Sequence, residues 1–541
     1  MDPQLDVDFP GGPAIGASPS LARQRRTRRL EVIAVLLLLL AAGIAHGLNM
    51  ENFPYYEDDE GTYVSQAWAV IREGQLAPYY YIYDHPPAGW LQIAGWFDLT
   101  GGMHTFGTVV ESGRVMMLVM QVGSTLMVYL IARQLTRRPW AALLSALAFS
   151  LSAFGIYYHR RVLLDNIATF WMLASLVLLV YPRPRLLRFV LSGLAMAVSI
   201  LSKEVLAAVG PALLVFAITR AEADARLRST VAWVVSAGVI VSLYPLYAFR
   251  RGELFPGGPT GISLIGTLEQ QAARGHDGGL LSLSSSFWGN LRQWAAYAPM
   301  LVVAGTVAAF VLIAVIRWRP SMAAIGLATI SYWAFLGRGG ATIIFYVLPL
   351  LPLLALDLGL AVGLADEAVS RLAPRLGRAF ASGAALHRGL IGVATLGAVV
   401  GVVAGYTSGN PQFHGNPLSL WQGTEAVGQR QAIQWVLDNV PPNARIIIDM
   451  YMWADLHEVP PGKQPFTAAE YYWKVDLDPT IRNGVFKDNW RNVQWVIASP
   501  QVLFDATHQS SLVIVREALS HSTVVTTIGS GWPVQMRKVT P

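Results

Sequence analysis

Long apolar runs alternate with short polar stretches through most of this 541-residue chain. Runs of roughly 18 to 25 apolar residues are long enough to cross a bilayer as helices. The pattern predicts about eleven transmembrane helices, over 32–47, 112–133, 139–157, 163–181, 186–202, 204–220, 230–249, 296–316, 321–337, 341–364 and 388–407. It therefore indicates a polytopic α-helical membrane protein.

Basic residues cluster in the turns that follow every second apolar run. The clusters lie within 23–29, 133–138, 183–188, 220–228, 317–319 and 371–388. By the positive-inside rule these turns are cytoplasmic, and so is the N-terminus. The loop 48–111 and the segment after residue 407 then lie outside. Residues 1–29 predict a disordered cytoplasmic tail, since their beginning is rich in Pro, Gly, Ser and Ala without periodicity.

Two short segments of the loop 48–111 have the spacing of amphipathic helices. Apolar residues recur at helical intervals within 63–75 and again within 88–98, each with a Trp. Such helices lie along the membrane surface rather than across it. The acids Asp58, Asp59 and Glu60 precede the first segment, and the prolines 86–87 precede the second, where Pro favours a helix start.

The chain changes character after residue 407, where charge rises and Pro, Asn and Asp appear. Residues 429–439 have helical spacing. The stretches 445–450, 493–499 and 513–515 are short apolar runs typical of buried strands. Residues 408–541 thus predict a small α/β domain outside the membrane, attached to the transmembrane domain 30–407.

Composition narrows the function. Charged residues make up 14% of the chain, against about 25% in soluble proteins. Cysteine is absent, which excludes disulfides and thiolate metal sites. The net charge of +6 would suit nucleic acid, but the positions of the basic clusters are those that membrane topology requires. Nucleic-acid binding is therefore excluded.

Three adjacent acids, Asp58, Asp59 and Glu60, stand close to Tyr63 in the first outer loop. Capping a helix N-terminus would need only one of them. Crowded like charges raise a carboxyl pKa, which suits a general base. A divalent cation held by Asp58, Asp59 and His85 would relieve the repulsion equally well. Capping, general-base and metal-binding roles all remain open at this point.

Several cations fall on the same predicted side of the membrane. His85 follows Asp84, and it either packs on proline or is oriented near a phosphate. Arg160 and Arg161 precede Asp165, which needs a partner in an apolar helix. That group is either a buried ion pair or a phosphate-binding cation held by Asp165.

Two further charged turns face the same way. One carries Lys203 and Glu204, and the other carries Arg338, followed by Tyr346 in a proline-containing helix. Each is either a plain turn or kink, or a further source of phosphate-binding cations.

These motifs resemble the GT-C superfamily of polyprenyl-phosphate-sugar-dependent glycosyltransferases, especially the protein O-mannosyltransferase and lipid A aminoarabinose transferase group. DDEGTY (58–63) matches the acidic motif of the first outer loop, with Asp59 at the catalytic position. YDHPP (83–87) matches the His/Lys-Pro-Pro motif, although the aminoarabinose transferases have Lys where His85 stands. Asp165, Lys203 and the helix FYVLPLLP (345–352) fit family positions as well. The resemblance covers roughly residues 30–365.

The resemblance implies an inverting glycosyltransferase of the bacterial inner or plasma membrane. It would move one sugar from a polyprenyl-phosphate donor to a hydroxyl of a protein, lipid or glycan on the outer side. Asp59 would act as general base beside Asp58 and Glu60. The residues that would bind the donor phosphate are Arg160, Arg161, Lys203, His85 and Arg338, and those that would support them are Tyr63, Asp84, Asp165, Glu204 and Tyr346.

A transporter or flippase for a lipid-linked sugar is the alternative. It would share the helices and the cations, but it would not need three acids beside a His-Pro-Pro motif. Transporters are often built from internal repeats, and this sequence shows none at half length.

Overall fold

The computed structural model describes residues 19–541 except 81–82, 183, 259–260, 274, 276, 341, 373–382, 408–415, 417, 460–461 and 541. Helices make up most of the described part before residue 408. They are α1 Pro19–Gly47, α2 Asp58–Glu73, α3 Ala88–Thr100, α4 Val109–Thr136, α5 Pro139–Ser150, α6 Ala153–His159, α7 Leu164–Val180, α8 Leu186–Ser202, α9 Gly210–Arg220, α10 Arg226–Val241, α11 Leu243–Arg250, α12 Leu264–Ala273, α13 Ser286–Tyr297, α14 Thr306–Ala314, α15 Pro320–Leu336, α16 Leu350–Leu372 and α17 Gly383–Thr407.

Each of the eleven predicted apolar runs is helical, but several are short or bent. By length and composition, five of the described helices can cross a membrane, or seven if each of two bent pairs is one span. The pair α5–α6 bends by 59°, and α13 bends by 110° against the segment 300–314. Three shorter apolar helices are α7, α8 and α15. A multi-pass membrane protein is thus supported, while the number of eleven crossings stays a prediction.

Residues 19–29 differ from the prediction, because they continue α1 as helix rather than belonging to a disordered tail. Arg, which supplies five of these eleven residues, favours the helical conformation, so the helix of the apolar run extends through the basic cluster. Residues 1–18 lie outside the described part of the chain.

The amphipathic segments of the first loop form α2 and α3, as predicted. The acids Asp58, Asp59 and Glu60 occupy the first turn of α2, and Pro87 precedes α3. Both helices bury their apolar faces, including Val64 and Ala67 of α2 and Trp90 and Ile93 of α3. This packing fixes the position of each polar residue at the helix starts.

The C-terminal part contains a mixed five-stranded sheet flanked by short helices. Its strands are β1 Ile446–Ile448, β2 Ala469–Tyr471, β3 Trp495–Ala498, β4 Ser522–Ile528 and β5 Val534–Val539. Its helices are α18 Ser419–Gln422, α19 Glu425–Asn439, α20 Trp453–His457, α21 Tyr472–Leu477, α22 Pro500–His508 and α23 Val513–Ser520. The strand order is β2-β1-β3-β5-β4, with β1 parallel to β2 and β3, and β5 antiparallel to β3 and β4.

The sequence predicted β1, β3 and the helix over 429–439 correctly, but the strand over 513–515 is wrong. Those residues begin α23, in which Ile514, Val515 and Ala518 are buried. Burial at i, i+1 and i+4 is helical spacing, and a run of three β-branched residues was too short to distinguish it from a strand.

Polar residues concentrate at two ends of the helix bundle. α4 contains 28 residues, and at 1.5 Å per residue it is about 42 Å long. Near its start Arg114 contacts Glu60, and at its end lie Arg137 and Arg138. The acidic loop and the basic turns are therefore far apart.

Candidate active site

The first turn of α2 borders a cavity of about 350 Å³. Its wall comes from α2, from the loop before α3 and from the C-terminal part. The lining residues are Asp59, Thr62, Tyr63, Ser65, Gln66, Ala77, Pro78, Tyr79, Asp84, His85, Met450, Tyr471, Trp473, Lys474 and Leu477. The volume and the mixed polar and aromatic lining suit a small polar molecule such as a sugar.

Asp59 and His85 lie on this one cavity. The hydroxyl of Tyr63, one helical turn after Asp59, donates to Asp59 Oδ2 at 3.4 Å. The ring of Tyr63 stands 6.3 Å from the ring of His85, measured between centroids. Asp84 is exposed at the same cavity. The two polar motifs of the first loop therefore meet, although 26 positions separate Asp59 from His85.

His85 stands between an acid and a cation. Its Nδ1 lies 3.0 Å from Glu204 Oε2, and its Nε2 lies 2.9 Å from Lys203 Nζ. An ammonium group only donates hydrogen bonds, so Nε2 accepts and the ring proton belongs on Nδ1, where it is donated to Glu204. This arrangement fixes the tautomer and the orientation of the ring, and it directs the ring toward Lys203.

Lys203 is buried beside Asp165 and Tyr346. Its Nζ lies 3.7 Å from Asp165 Oδ2 and 5.6 Å from the centroid of the Tyr346 ring. Both oxygens of the fully buried Asp165 lack a hydrogen-bond partner among the described residues. A buried carboxylate without hydrogen bonds depends on a nearby charge. Asp165 and Lys203 therefore stabilise each other's charged forms.

Arg338 lies in an exposed turn near this cluster. Its Nη1 donates to the carbonyl of Phe335 at 3.0 Å, and its guanidinium lies over the Phe335 ring at 4.0 Å. It also interacts electrostatically with Tyr346 and Glu204. The described contacts of the Arg338 side chain are thus with its own turn, and its predicted role in phosphate binding stays a prediction.

Arg160 and Arg161 have a different role from the predicted phosphate binding. Arg160 donates to five backbone carbonyls, those of Ala45, His46, Leu48, Phe53 and Leu420. Arg161 pairs with Glu57 and donates to the Tyr157 hydroxyl at 2.9 Å. Both side chains are buried and hold α1, the first loop and the C-terminal part together, so the prediction that they bind phosphate is corrected.

The predicted ion pair between these arginines and Asp165 is also wrong. The prediction placed Asp165 about one helical turn after the arginines, whereas α6 ends at His159 and α7 begins at Leu164. The turn between them separates Arg161 from Asp165, whose partner is Lys203.

Glu60, which was predicted to stand beside the catalytic Asp59, lies outside the cavity. Its carboxylate forms a two-pronged ion pair with Arg114, at 2.9 Å to Nε and 2.7 Å to Nη2. It also accepts from the backbone amides of Val162 at 2.9 Å and Glu57 at 3.2 Å. Both partners of the pair are completely buried, and Glu60 does not line the cavity. Its role is structural.

Asp58 connects α2 to the C-terminal part, which corrects its predicted catalytic role. Its Oδ2 accepts from the hydroxyls of Tyr471 at 2.9 Å and Tyr472 at 3.0 Å. Burial, and then the nearby charge of Asp449, raise the pKa of Asp58 well above its usual value. Tyr471, which donates to Asp58, also lines the cavity.

Gly61 allows this contact to be close. A Cβ atom at Gly61 would lie 2.4 Å from the carbonyl group of Met450. Any other residue would push the C-terminal part away from α2. The glycine of the DDEGTY motif is thus explained by a contact with a segment almost 400 positions later in the chain.

Comparison with known proteins supports the resemblance. Residues 84–249 match the family described as dolichyl-phosphate-mannose-protein mannosyltransferase. Two similar curated proteins are undecaprenyl phosphate-alpha-4-amino-4-deoxy-L-arabinose arabinosyl transferases. One is from Pseudomonas aeruginosa (strain UCBPP-PA14) and one from Pseudomonas paraeruginosa (strain DSM 24068 / PA7). Each is 31% identical over 188 residues, which is 33% of this chain and 33% of the relative. The chain thus matches about a third of the length of these curated relatives.

Solved structures extend the likeness to the whole fold. The crystal structure of ArnT from Cupriavidus metallidurans bound to undecaprenyl phosphate has a TM-score of 0.56 at 17% identity, covering 97% of this chain and 99% of that one. Its apo form has a TM-score of 0.55 at 14% identity, covering 96% and 98%. The chain therefore shares the fold of these structures. The three comparisons agree with the resemblance inferred from the motifs.

The cavity does not bring the predicted metal ligands together. Asp58 faces Tyr471 and Tyr472, whereas His85 is held by Lys203 and Glu204. Asp58, Asp59 and His85 therefore do not form one ligand set. In the part of the chain that the structure describes, no group of three or more His, Asp or Glu side chains is arranged to hold a metal ion.

The cavity residues of the C-terminal part could not be predicted from the sequence. Trp473 and Lys474 lie at the start of α21 and face the loop before α3, and the ammonium of Lys474 lies 5.6 Å from the Tyr79 ring centroid. The only local signal was the aromatic cluster Tyr471–Trp473, which is equally typical of a buried core.

Proposed function

We propose that this protein is an inverting membrane glycosyltransferase of the GT-C type that moves one sugar from a polyprenyl-phosphate donor to an acceptor hydroxyl on the outer side of the membrane. The observation that carries the proposal is that Asp59 and His85 line one cavity and that His85 contacts the buried Lys203. A carboxylate and a preorganised cation are thus present at one site. The relatives named after undecaprenyl phosphate sugars support the donor class.

Asp59 is the general base in this proposal. In the described part of the chain, its side chain receives one long hydrogen bond, from Tyr63 at 3.4 Å. The carboxylate therefore has lone pairs left to accept a proton from an acceptor hydroxyl. The hydroxyl oxygen attacks the anomeric carbon as the bond from that carbon to the phosphate oxygen breaks. The proton passes to Asp59, and the phosphate leaves with the bonding electrons.

Lys203 stabilises the leaving phosphate, and His85 holds the Lys203 ammonium in place by accepting a hydrogen bond from it. The Lys203 ammonium carries three N–H donors. One is directed to His85 Nε2 and one faces Asp165, which leaves the third for a phosphate oxygen. Cations fixed in a site from which water is excluded stabilise developing negative charge at little reorganisation cost. Arg338 adds charge at the edge, and Glu204 and Asp165 hold His85 and Lys203 in place.

The test compares Asp59→Asn with Asp98→Asn in cells that otherwise lack the protein. Asp98 is exposed on α3 and does not line the cavity, so its variant is a matched control for the loss of one carboxylate. Mass spectrometry of lipid-linked sugars is expected to show one polyprenyl-phosphate sugar accumulating with Asp59→Asn, as in cells without the protein. It is expected to show wild-type levels with Asp98→Asn. Normal turnover by Asp59→Asn would refute the assignment.

The same cells separate a transferase from a transporter. A membrane-impermeant sugar oxidant reports the leaflet in which the accumulated donor lies. A blocked transferase leaves the donor in the outer leaflet, where the oxidant reaches it. Donor protected from the oxidant would favour the transporter and contradict the proposed function.

A further inference from the structure

A second polar cavity, of about 530 Å³, lies at the basic end of the helix bundle. Its walls are the turn between α4 and α5, the end of α9, the residues just before and within the first turn of α15, and the side of α16. α4 separates this cavity from the Asp59 cavity by roughly its whole length of about 42 Å. The two cavities are therefore independent sites.

Positive charge dominates the lining of this second cavity. Four guanidinium groups, those of Arg137, Arg138, Arg220 and Arg319, face one carboxylate, that of Glu367. Arg319 donates to Glu367 at 2.5 and 2.7 Å, and Glu367 also pairs with Arg371 outside the cavity. The single lining carboxylate is thus shared between two cations.

The remaining arginines are not neutralised within the cavity. Arg220 donates to the neutral carbonyls of Leu179 at 3.1 Å and Val180 at 2.8 Å, which fix the side chain without compensating its charge. Arg138 pairs at 3.0 Å with the buried Asp366, which does not line the cavity. Arg137 is exposed. The cavity therefore keeps a net positive charge.

Membrane topology explains basic turns but not their convergence. The positive-inside rule requires cationic loops on one side and sets no condition on how they pack. Here arginines from three turns far apart in sequence border a single concave space. Guanidinium groups bind phosphate oxygens with two parallel hydrogen bonds, so such a space is suited to a phosphate-bearing anion.

We propose that this cavity binds the phosphate headgroup of an anionic phospholipid. Trp318 lines the cavity and is 76% exposed, and the nearby Ile316 is 41% exposed. Exposed aromatic and apolar residues next to basic ones are typical of the headgroup level of a bilayer. They provide a surface for acyl chains that a soluble polyphosphate would not use. Lipid binding at this site is independent of the proposed transfer reaction.

The experiment measures lipid binding to the full-length protein by native mass spectrometry. Phosphatidylglycerol is compared with zwitterionic phosphatidylethanolamine, and inorganic pyrophosphate is tested separately. The cavity variant is Arg137→Asn with Arg319→Gln. Asn tolerates the left-handed backbone at Arg137, where φ is 58°, and Glu367 keeps Arg371 as its partner. The control is Arg226→Gln with Arg228→Gln. These two exposed arginines lie in the first turn of α10, at the same end of the bundle, and do not line the cavity.

Removing one guanidinium near a charged headgroup lowers affinity roughly fivefold. The cavity variant is therefore expected to lose at least about tenfold in phosphatidylglycerol affinity, and the control to stay within about twofold. Equal losses in both variants, or equal binding of both lipids by the wild type, would overturn the proposal. If the protein binds pyrophosphate but not phosphatidylglycerol, the proposal that the ligand is a lipid would be overturned. If the double variant is not monodisperse, the single variant Arg137→Asn is measured instead. Its affinity for phosphatidylglycerol is expected to fall about fivefold, and an unchanged affinity would refute the site.

Discussion

Replacing Glu60 by Gln tests whether two neighbouring acids of one motif have different roles, Glu60 in stability and Asp59 in catalysis. Glu60 accepts from Arg114 Nε and Nη2 and from two backbone amides. A Gln side chain has one oxygen and one NH2 group in place of the two carboxylate oxygens of Glu60. At one of these two positions, the NH2 group would therefore face the N–H donors that the carboxylate oxygen accepts from. The buried Arg114 would also lose its counter-charge. Asp59→Asn, by contrast, changes a side chain with a single long hydrogen bond among the described contacts.

The structure sets the size of the expected effect. Removing one partner of a buried ion pair costs roughly 3–5 kcal/mol. Arg114 also donates to the carbonyls of Met50, Pro54 and Tyr55, and these bonds would survive the substitution. The cost is therefore expected at the lower end, at about 3 kcal/mol. At about 2 °C per kcal/mol for a protein of this size, the unfolding midpoint should fall by roughly 6 °C.

The assay is thermal unfolding of the detergent-solubilised protein, followed by its monodisperse fraction, with transfer activity measured on the folded fraction. Glu60→Gln should lower the midpoint while the remaining folded protein keeps activity. Asp59→Asn should leave the midpoint unchanged and abolish activity. A Glu60→Gln protein that is as stable as the wild type but inactive would refute this division of roles.

Three further predictions concern Lys203 and Arg160 of the helical part and Glu470 of the C-terminal part. Lys203→Ala should lower the rate of sugar transfer by about 10²–10³-fold, as removal of one stabilising donor does. Lys203→Arg should recover part of the lost rate in the same assay. Equal rates for Lys203→Ala and the wild type would exclude a role in phosphate binding. Arg160→Ala should lower the thermal unfolding midpoint without changing the KM for the donor. A raised KM would instead indicate that Arg160 binds the donor phosphate. Burial raises the pKa of Glu470 to about 8 from its usual 4.5, so the folded state binds this proton more tightly than the unfolded state does. The stability that the protonated Glu470 contributes to the folded state is therefore complete below pH 4.5 and is lost as the pH rises through 8. Thermal midpoints of Glu470→Gln should therefore fall less between pH 5 and 9 than those of the wild type, and parallel curves would contradict this.

Much of the helical architecture could be predicted because it follows from local patterns. Apolar runs determine where helices form, and the spacing within 63–75 and 88–98 correctly indicated α2 and α3. The motifs around Asp59 and His85 belong to the starts of these two helices. Because the helices pack against each other, their starts and the adjoining loop meet at one cavity.

The roles of individual charges could not be predicted, because a charge in an apolar setting shows that a partner exists but not which one. Glu60 pairs with Arg114, 54 positions away, and Arg161 pairs with Glu57, 104 positions away. Asp58 is held by residues of the C-terminal part more than 400 positions later. Such partners are determined by tertiary packing, and the local sequence of a structural acid resembles that of a catalytic one.

The most direct test of the account is a structure of the full-length protein bound to a polyprenyl monophosphate. The account predicts the phosphate within hydrogen-bonding distance of Lys203 Nζ and open to the cavity that Asp59 lines. A phosphate bound away from Lys203, or an Asp59 carboxylate directed away from the space beside it, would contradict the central claim that the base and the donor share one site.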